Sequence, residues 1–233
     1  MIFHKQLACK SFDRIFIVSP NVRLETSEKA LSGKHLFEFS QIDLEIKNAS
    51  RDDVMLLVED LLASVITTIK ESCKRELEYL SSDPLVPSRP FAKVKFMDAY
   101  EQYGKDFETV LSSSFTEPFW LIDFPIWERE FYDLLSDDGK TLKDMDLILP
   151  KGFGETLSGG EREWEHPRII NRMEFKGTDP EELAWYMEIA EMRELIPTAG
   201  CGIGVERLAR YVCSLDNVLK TRLFPKVPGQ SWI

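Results

Sequence analysis

The sequence predicts an α+β fold built around a largely antiparallel sheet with helices packed against it. Strand-like and helix-like segments follow one another without the regular alternation that produces a parallel sheet. With 233 residues, of which 43% are hydrophobic, the chain carries enough apolar material for one sizeable core. The aromatic content of 11% excludes disorder as the general state.

Two segments near the N-terminus are predicted to be paired β-strands. Residues 14–19 and 36–46 are rich in β-branched and aromatic residues. The second segment alternates, so that Phe39 and Asp43 share one face of the strand. Further strands are predicted at 119–124, 144–149 and 153–158.

The clearest helix is predicted over residues 52–80. Its apolar residues recur every three or four positions and form one stripe, which we expect to face the core. The stripe consists of Val54, Leu57, Val58, Leu61, Leu62, Val65, Ile66 and Ile69. A proline-rich connector follows at 83–90. Further helices are predicted at 97–112, 179–194 and 205–215.

The charge and the cysteines narrow the class of protein. The formal net charge is −11, from 40 acidic and 29 basic residues, so the overall field repels polyanions such as nucleic acids. The four cysteines lack CxxC spacing, which favours neither zinc binding nor disulfides and fits a reducing cytoplasm. No apolar run reaches the roughly 18 residues of a membrane span. We therefore expect a cytoplasmic protein without a membrane partner.

A glycine-rich segment, Gly200-Cys-Gly202-Ile-Gly204, precedes the last predicted helix. A dinucleotide-binding fingerprint would require glycine where Val205 stands, and the chain contains no P-loop motif. Alternate glycines in a strand open space for a planar ligand, and Arg207 would point at that space from the first turn of the helix. The alternative is an ordinary tight strand-to-helix junction.

Several polar residues are candidates for ligand binding. Arg23 and Glu25 lie two apart and can grip the two ends of a ligand, or form a surface ion pair. Glu155 and Ser158 can offer oxygen atoms to a hard cation such as Mg²⁺. Arg162 follows a glycine pair and can bind a carboxylate bidentately. The alternative for these last three residues is a turn with solvated charges.

In their order and spacing, these segments resemble the catalytic core of a class II aminoacyl-tRNA synthetase of the aspartyl/asparaginyl type. The resemblance covers nearly the whole chain. Its blocks are residues 12–25 and 35–45 (motif 2), 123–132 (the strand before the substrate pocket), 154–163 (the metal and amino-acid segment), 196–208 (motif 3) and 216–225 (the closing segment). Archaeal members without an anticodon-binding domain, which this chain resembles most, are AMP-forming asparagine synthetases.

The resemblance implies an antiparallel sheet that binds ATP and Mg²⁺ and forms an aminoacyl-adenylate and pyrophosphate. Arg23 and Arg207 would be the catalytic residues, and Phe39 would stack on adenine with Arg207 on its other face. The implied ATP-binding residues are Arg23, Glu25, His35, Glu38, Phe39, Glu155, Gly202, Gly204 and Arg207. The implied amino-acid-binding residues are Lys5, Asp43, Ser158 and Arg162, with Asp43 on the α-ammonium group. Glu155 and Ser158 would hold Mg²⁺.

The resemblance also bears on the substrate. Lys5 matches a lysine of aspartyl-type enzymes, and a lysine with Arg162 suits a β-carboxylate better than a neutral amide. We therefore expect the enzyme to activate aspartate and transfer it to ammonia, making asparagine. One alternative is the catalytic core of an aspartyl- or asparaginyl-tRNA ligase, with tRNA as the partner. A second alternative is a non-catalytic binding subunit, against which the retained Arg23, Glu155 and Arg207 argue.

We expect residues 1–233 to form a single catalytic domain. The motif 1 segment of the family and its serine-rich substrate loop would precede residue 1, so they are expected to be missing or truncated. Because motif 1 builds the dimer interface, a homodimer is expected once that segment is restored. No anticodon-binding OB barrel is recognisable in the chain.

Overall fold

A computed structural model describes residues 2–23, 26 and 33–227 of the chain. The strands are β1 (Arg14–Val22), β2 (Glu38–Lys47), β3 (Ala92–Lys95), β4 (Phe119–Ile122), β5 (Asp144–Leu149), β6 (Gly154–Glu161) and β7 (Thr198–Gly204). They form a seven-stranded sheet in the order β1-β2-β7-β6-β5-β4-β3. Its neighbouring strands are antiparallel except for β3 and β4, which are parallel. The predicted fold class is confirmed.

The helices are α1 (Ile2–Ala8), α2 (Arg51–Ser72), α3 (Lys74–Tyr79), α4 (Phe96–Tyr103), α5 (Phe107–Ser114), α6 (His166–Lys176), α7 (Ala184–Glu191) and α8 (Val205–Val212). The predicted helix over 52–80 is divided at Cys73, and the one over 97–112 is divided by a 3-10 turn that starts at Gly104. The helices α1 and α6 and the strand β3 were not predicted. In the part of the chain that is described, no helix combines the length and apolarity of a membrane span.

Helix α2 covers one face of the sheet. Ser50 and Asp53 form a reciprocal capping box at its first turn, which satisfies two otherwise unpaired N–H groups. Its buried apolar residues, which pack against the sheet, are Val54, Met55, Val58, Leu62 and Ile66. The expectation that the whole stripe is buried was wrong for Leu57 and Leu61, which are 40% and 37% exposed. The apolar stripe is wider than the surface that the sheet offers to it.

Helix α1 lies on the opposite face of the sheet and packs with α6 and α7. Its apolar residues Phe3 and Leu7 contact a buried cluster that includes Tyr186 of α7. The Tyr186 hydroxyl donates a hydrogen bond of 2.8 Å to Gln6, and Gln6 donates one of 3.0 Å to the backbone oxygen of Glu163. A helix of seven residues depends on such tertiary contacts, because short helices are unstable alone.

The alternation of β2 separates the core from the site. Ile42, Leu44 and Ile46 pack in the core under α2. The side chains at 41, 43 and 45 therefore point to the other face, towards α1, because successive side chains of a strand alternate. Strand β2 thus presents a row of polar groups beneath α1.

Candidate active site

Two cavities meet on the side of the sheet that faces α1, and their linings contain most of the residues that the sequence singled out. The larger has a volume of about 550 Å³ and the smaller about 90 Å³. The larger is lined by Lys5, Asp43 and Arg162. The smaller is lined by His35, Phe39, Glu155, Gly204 and Arg207. Both are lined by Arg23, Gln41, Ser158 and Gly202, which mark the junction between them.

One predicted ATP-binding residue, Glu38, lines neither of these cavities. Glu38 lies on the face of β2 opposite to Phe39, as the period of two requires, and lines a separate groove. Lys226 donates a hydrogen bond of 2.5 Å to the Glu38 carboxylate and holds its pKa below the usual value. The ATP-binding assignment of Glu38 therefore needs correction. Glu25 falls outside the described residues.

Lys5 is buried in the larger cavity wall and paired with carboxylates of the protein. Its ammonium group donates hydrogen bonds of 3.0 Å to Asp43 Oδ1 and 3.3 Å to the backbone oxygen of Cys201. The Ser19 hydroxyl donates to the other Asp43 oxygen at 2.9 Å. Glu45 Oε2 lies 3.6 Å from the Lys5 nitrogen. The charge of Lys5 is thus already balanced within the protein.

Arg162 is also buried and hydrogen-bonded to acceptors of the protein. It donates to Glu45 Oε1 at 3.1 Å, to Asp133 Oδ1 at 3.0 Å and to the backbone oxygen of Gly200 at 3.0 Å. Burial disfavours its charge, but the neighbouring carboxylates of Glu45 and Asp133 outweigh this and raise the pKa of Arg162. Burial raises the pKa of Asp133. The charge of Arg162 acts in the opposite direction but is the smaller effect.

These pairings weaken the expectation that Lys5 and Arg162 select a β-carboxylate. That expectation counted the two cations and overlooked the carboxylates of Glu45 and Asp133, which contact them in the folded chain. A cation that is already paired offers less attraction to a second carboxylate.

The glycines of β7 serve close packing more than ligand space. A Cβ atom at Gly202 would lie 1.9 Å from the Gln41 amide nitrogen, and one at Gly200 would lie 2.2 Å from the Leu44 backbone oxygen. The side chains of β2 therefore fill the space that the sequence analysis assigned to a planar ligand. At Gly204 the nearest atoms, one of them in the Arg207 side chain, would lie 3.5 Å from a Cβ atom, which is an ordinary van der Waals distance.

Arg207 and Glu155 are paired in the smaller cavity. Arg207, in the first turn of α8, donates 2.9 Å to the Glu155 carboxylate and 3.0 Å to its backbone oxygen. Burial, followed by the charge of Asp146, raises the pKa of Glu155.

A bulge in β6 brings Glu155 and Ser158 to the same cavity. Residues three apart on a regular strand point to opposite faces. Leu157 pairs with Leu147 and Glu155 pairs with Ile148, so Thr156 is the extra residue of the bulge. Both Glu155 and Ser158 then line the smaller cavity.

The donor set of Glu155 and Ser158 fits Mg²⁺, which binds through one or two carboxylates, water and substrate phosphates. The Arg207 hydrogen bond uses Oε1 of Glu155. Within the described ranges, no cluster of three or more His, Cys, Asp or Glu side chains is arranged to hold a metal by itself. Any metal here would therefore take further ligands from water or a bound phosphate.

Arg23 and Phe39 are in contact at the junction. The Arg23 guanidinium lies 5.1 Å from the centre of the Phe39 ring, a cation–π distance. The Arg23 backbone N–H donates 2.9 Å to the backbone oxygen of Phe37, which continues the β1–β2 pairing beyond the strand ends. Arg23 is thus placed to reach either cavity.

Sequence reasoning missed several residues of this site, among them Gln41, Glu45 and Asp133. Gln41 and Glu45 share the β2 face of Phe39 and Asp43, so the period of two could have identified them. Asp133 carries no such signal. An isolated antiparallel bridge between Asp133 and Arg162 brings it to the cavity.

Comparison with known proteins gives the family. Residues 1–228 match the family described as "tRNA synthetases class II (D, K and N)". The chain belongs to this family. The resemblance seen in the sequence blocks and the class II synthetase fold are both confirmed.

Curated relatives of this class II synthetase are asparagine--tRNA ligases. The one from Pyrococcus abyssi is 28% identical over 243 residues, which cover 97% of this chain and 55% of the relative. The one from Clostridium beijerinckii is 31% identical over 248 residues, covering 95% and 52%. The chain spans about half the length of these relatives.

Solved structures of the family are also similar. The asparaginyl-tRNA synthetase of Pyrococcus horikoshii complexed with asparaginyl-adenylate has a TM-score of 0.89 and 27% identity, covering 100% of this chain and 56% of that chain. The aspartyl tRNA synthetase of Entamoeba histolytica has a TM-score of 0.85 and 26% identity, covering 98% and 51%. These relatives favour the tRNA-ligase alternative and give no support to ammonia as the acceptor.

Proposed function

We propose that this class II synthetase is the catalytic core of an asparaginyl-tRNA ligase. It would join asparagine to ATP, forming asparaginyl-adenylate and pyrophosphate, and pass the amino acid to tRNA. The observation that carries this proposal is the junction of the two cavities at Ser158 and Gly202. An adenylate consists of a nucleotide and an amino acid joined through one phosphate, and two linked cavities match that shape.

The smaller cavity would hold the adenine end of the nucleotide. Phe39 and Arg207 both line it and would contact the two faces of adenine, with Arg23 leaving the Phe39 ring to bind the α-phosphate. Glu155 and Ser158 would hold Mg²⁺, which supplies positive charge to the phosphates. Because the nucleophile is the carboxylate of the amino acid, the protein needs no covalent nucleophile of its own.

The larger cavity would hold the amino acid. Asp43 would accept hydrogen bonds from the α-ammonium group, with Lys5 and Ser19 fixing the orientation of its two oxygens. The substrate carboxylate would then lie at the junction, facing the α-phosphorus. Its attack gathers negative charge on the phosphate oxygens, which the guanidinium of Arg23 would stabilise once it has left the Phe39 ring.

Aspartate activation is a second candidate, favoured by the presence of Lys5 in the lining of the larger cavity. It corresponds to the synthesis of asparagine from aspartate and ammonia. The Lys5 signal is offset by the carboxylates that contact this residue. One experiment separates the two candidates.

The experiment is ATP–pyrophosphate exchange with asparagine or aspartate, followed by addition of tRNA or ammonia. We expect exchange with asparagine and charging of tRNA. Exchange with aspartate, with free asparagine formed only when ammonia is added, would establish the second candidate. A folded protein that exchanges with neither amino acid would indicate a non-catalytic binding subunit and overturn both.

A further inference from the structure

Lys5 and Arg162, which line the larger cavity, form one group with the three carboxylates that they contact. Lys5 lies beside Asp43 and Glu45, and Arg162 lies between Glu45 and Asp133. If Asp43 serves the α-ammonium group, as proposed, two cations remain with two carboxylates. A site whose fixed charges cancel favours a neutral group over a charged one. A charged group that enters it loses its hydration and finds no net electrostatic attraction to offset that loss.

Asp133 supplies the charge that completes this balance. Its side chain is only 7% exposed and lines the larger cavity. Its backbone is fixed by the bridge to Arg162 and by hydrogen bonds of 2.9 Å at both neighbours, from Leu134 N–H to Glu161 and from Glu163 N–H to Tyr132. Such support holds a polar group in a defined position.

The atoms of this pair have hydrogen-bonding capacity left for a ligand. Asp133 Oδ1 accepts from Arg162, whereas Oδ2 accepts no hydrogen bond from any described residue. Arg162 uses one N–H on each of its three nitrogens for protein acceptors and has five in all. The pair therefore offers one acceptor and spare donors side by side, which matches the N–H and C=O groups of a carboxamide.

Building on the proposed function, we infer that Asp133 determines specificity for a neutral carboxamide side chain. Its carboxylate accepts a hydrogen bond from the asparagine amide N–H, while Arg162 donates to the amide oxygen. Aspartate lacks that N–H group and brings a negative charge towards Asp133 and Glu45. Asp133 thus offsets the preference for aspartate that Lys5 and Arg162 alone would create.

The test measures exchange with asparagine and with aspartate at pH 8 in the unaltered chain, in Asp133→Asn and in Asp137→Asn. Asp137 is the matched control, because it is an exposed aspartate that lines neither cavity. We expect the ratio of kcat/KM for asparagine to that for aspartate to fall about tenfold or more in Asp133→Asn. It should stay within about twofold in Asp137→Asn. The KM for ATP should be unchanged in both.

A second measurement covers the case in which Asp133→Asn does not fold. The unaltered chain is given aspartate β-methyl ester, which is neutral and close to asparagine in size but has no amide N–H donor. We expect kcat/KM at least about tenfold below that for asparagine, since a site built to pair an N–H group rejects an analogue without it.

The outcomes are distinct. If the unaltered chain shows no exchange with asparagine, the proposed function fails and the role of Asp133 fails with it. If it exchanges with asparagine but the substrate ratio is unchanged in folded Asp133→Asn, only the role of Asp133 is overturned. Equal use of the methyl ester and asparagine overturns that role as well.

Discussion

Arg207 of α8 is tied to Glu155 of β6 by two hydrogen bonds from one guanidinium nitrogen, 2.9 Å to the carboxylate and 3.0 Å to the backbone oxygen. The pairing aligns a proposed nucleotide-binding cation with a proposed metal ligand across the smaller cavity. Each side chain therefore fixes the position of the other. The two groups can be tested separately.

Replacement of Arg207 by alanine should abolish ATP–pyrophosphate exchange, because the adenine and phosphate contacts at the smaller cavity are lost. We expect a fall of at least about a thousandfold in kcat/KM. Arg210→Ala is the control, since Arg210 lies on the same helix but bonds to backbone oxygens of Leu215 and Phe153. Exchange retained in Arg207→Ala would contradict the motif 3 assignment.

Replacement of Glu155 by glutamine should raise the Mg²⁺ concentration needed for half-maximal exchange by about tenfold, because a carboxylate ligand becomes a weaker neutral oxygen. The measurement is a Mg²⁺ titration of exchange at fixed ATP. Glu165→Gln, at an exposed position outside the two cavities, serves as the comparison. An unchanged Mg²⁺ requirement would remove Glu155 from the proposed metal site.

Alanine substitutions along β7 should have graded effects. At Gly200 the new Cβ meets the Leu44 backbone oxygen at 2.2 Å, which cannot move cheaply, so we expect a loss of about 3 kcal/mol in the free energy of unfolding. At Gly202 it meets the flexible Gln41 amide, so ATP or amino-acid affinity should fall more than stability. Gly204→Ala should be tolerated best. Urea unfolding and exchange kinetics would check the order, and a Gly200→Ala chain of normal stability would contradict it.

Lys5 and Asp43 should be coupled in stability. Lys5→Met leaves the buried Asp43 carboxylate without its cation, which costs about 3 kcal/mol when one partner of a buried pair is removed. Asp43→Asn should also destabilise, but the double variant should lose less than the sum of the two. A urea-unfolding cycle measures this coupling. Simple additivity would show that the ion pair contributes no interaction energy.

The pKa of Asp133 makes stability depend on pH in a defined direction. Burial raises this pKa above its usual 3.8, so the folded chain keeps the proton at pH values where the unfolded chain has lost it. The stabilisation that this difference in pKa gives the folded chain is fully present below pH 3.8. It is lost as the pH rises through the pKa of Asp133 in the folded chain. The chain should therefore lose stability relative to Asp133→Asn over that interval, as measured by urea unfolding at successive pH values. A relative gain with rising pH would show that the Arg162 charge outweighs burial.

The period of two in β2 made much of the site predictable. Phe39 and Asp43 were placed on one face, and the same alternation places Gln41 and Glu45 beside them. The order of the sequence blocks identified the family, because binding residues in a fold recur at characteristic spacings. Local periodicity was less reliable for helix ends, such as the break at Cys73, where the backbone leaves the helical conformation with φ −120° and ψ 35°.

Sequence alone therefore predicted the fold class, the family and eleven of the residues that line the two cavities. Only the tertiary structure decided how their charges combine. Arg162 was read as a free partner for a substrate carboxylate, but the folded chain pairs it with Glu45, 117 residues away along the sequence, and with Asp133. The physical reason is that a group's charge, pKa and hydrogen-bonding capacity depend on the neighbours that folding brings within a few ångströms, which no local pattern records.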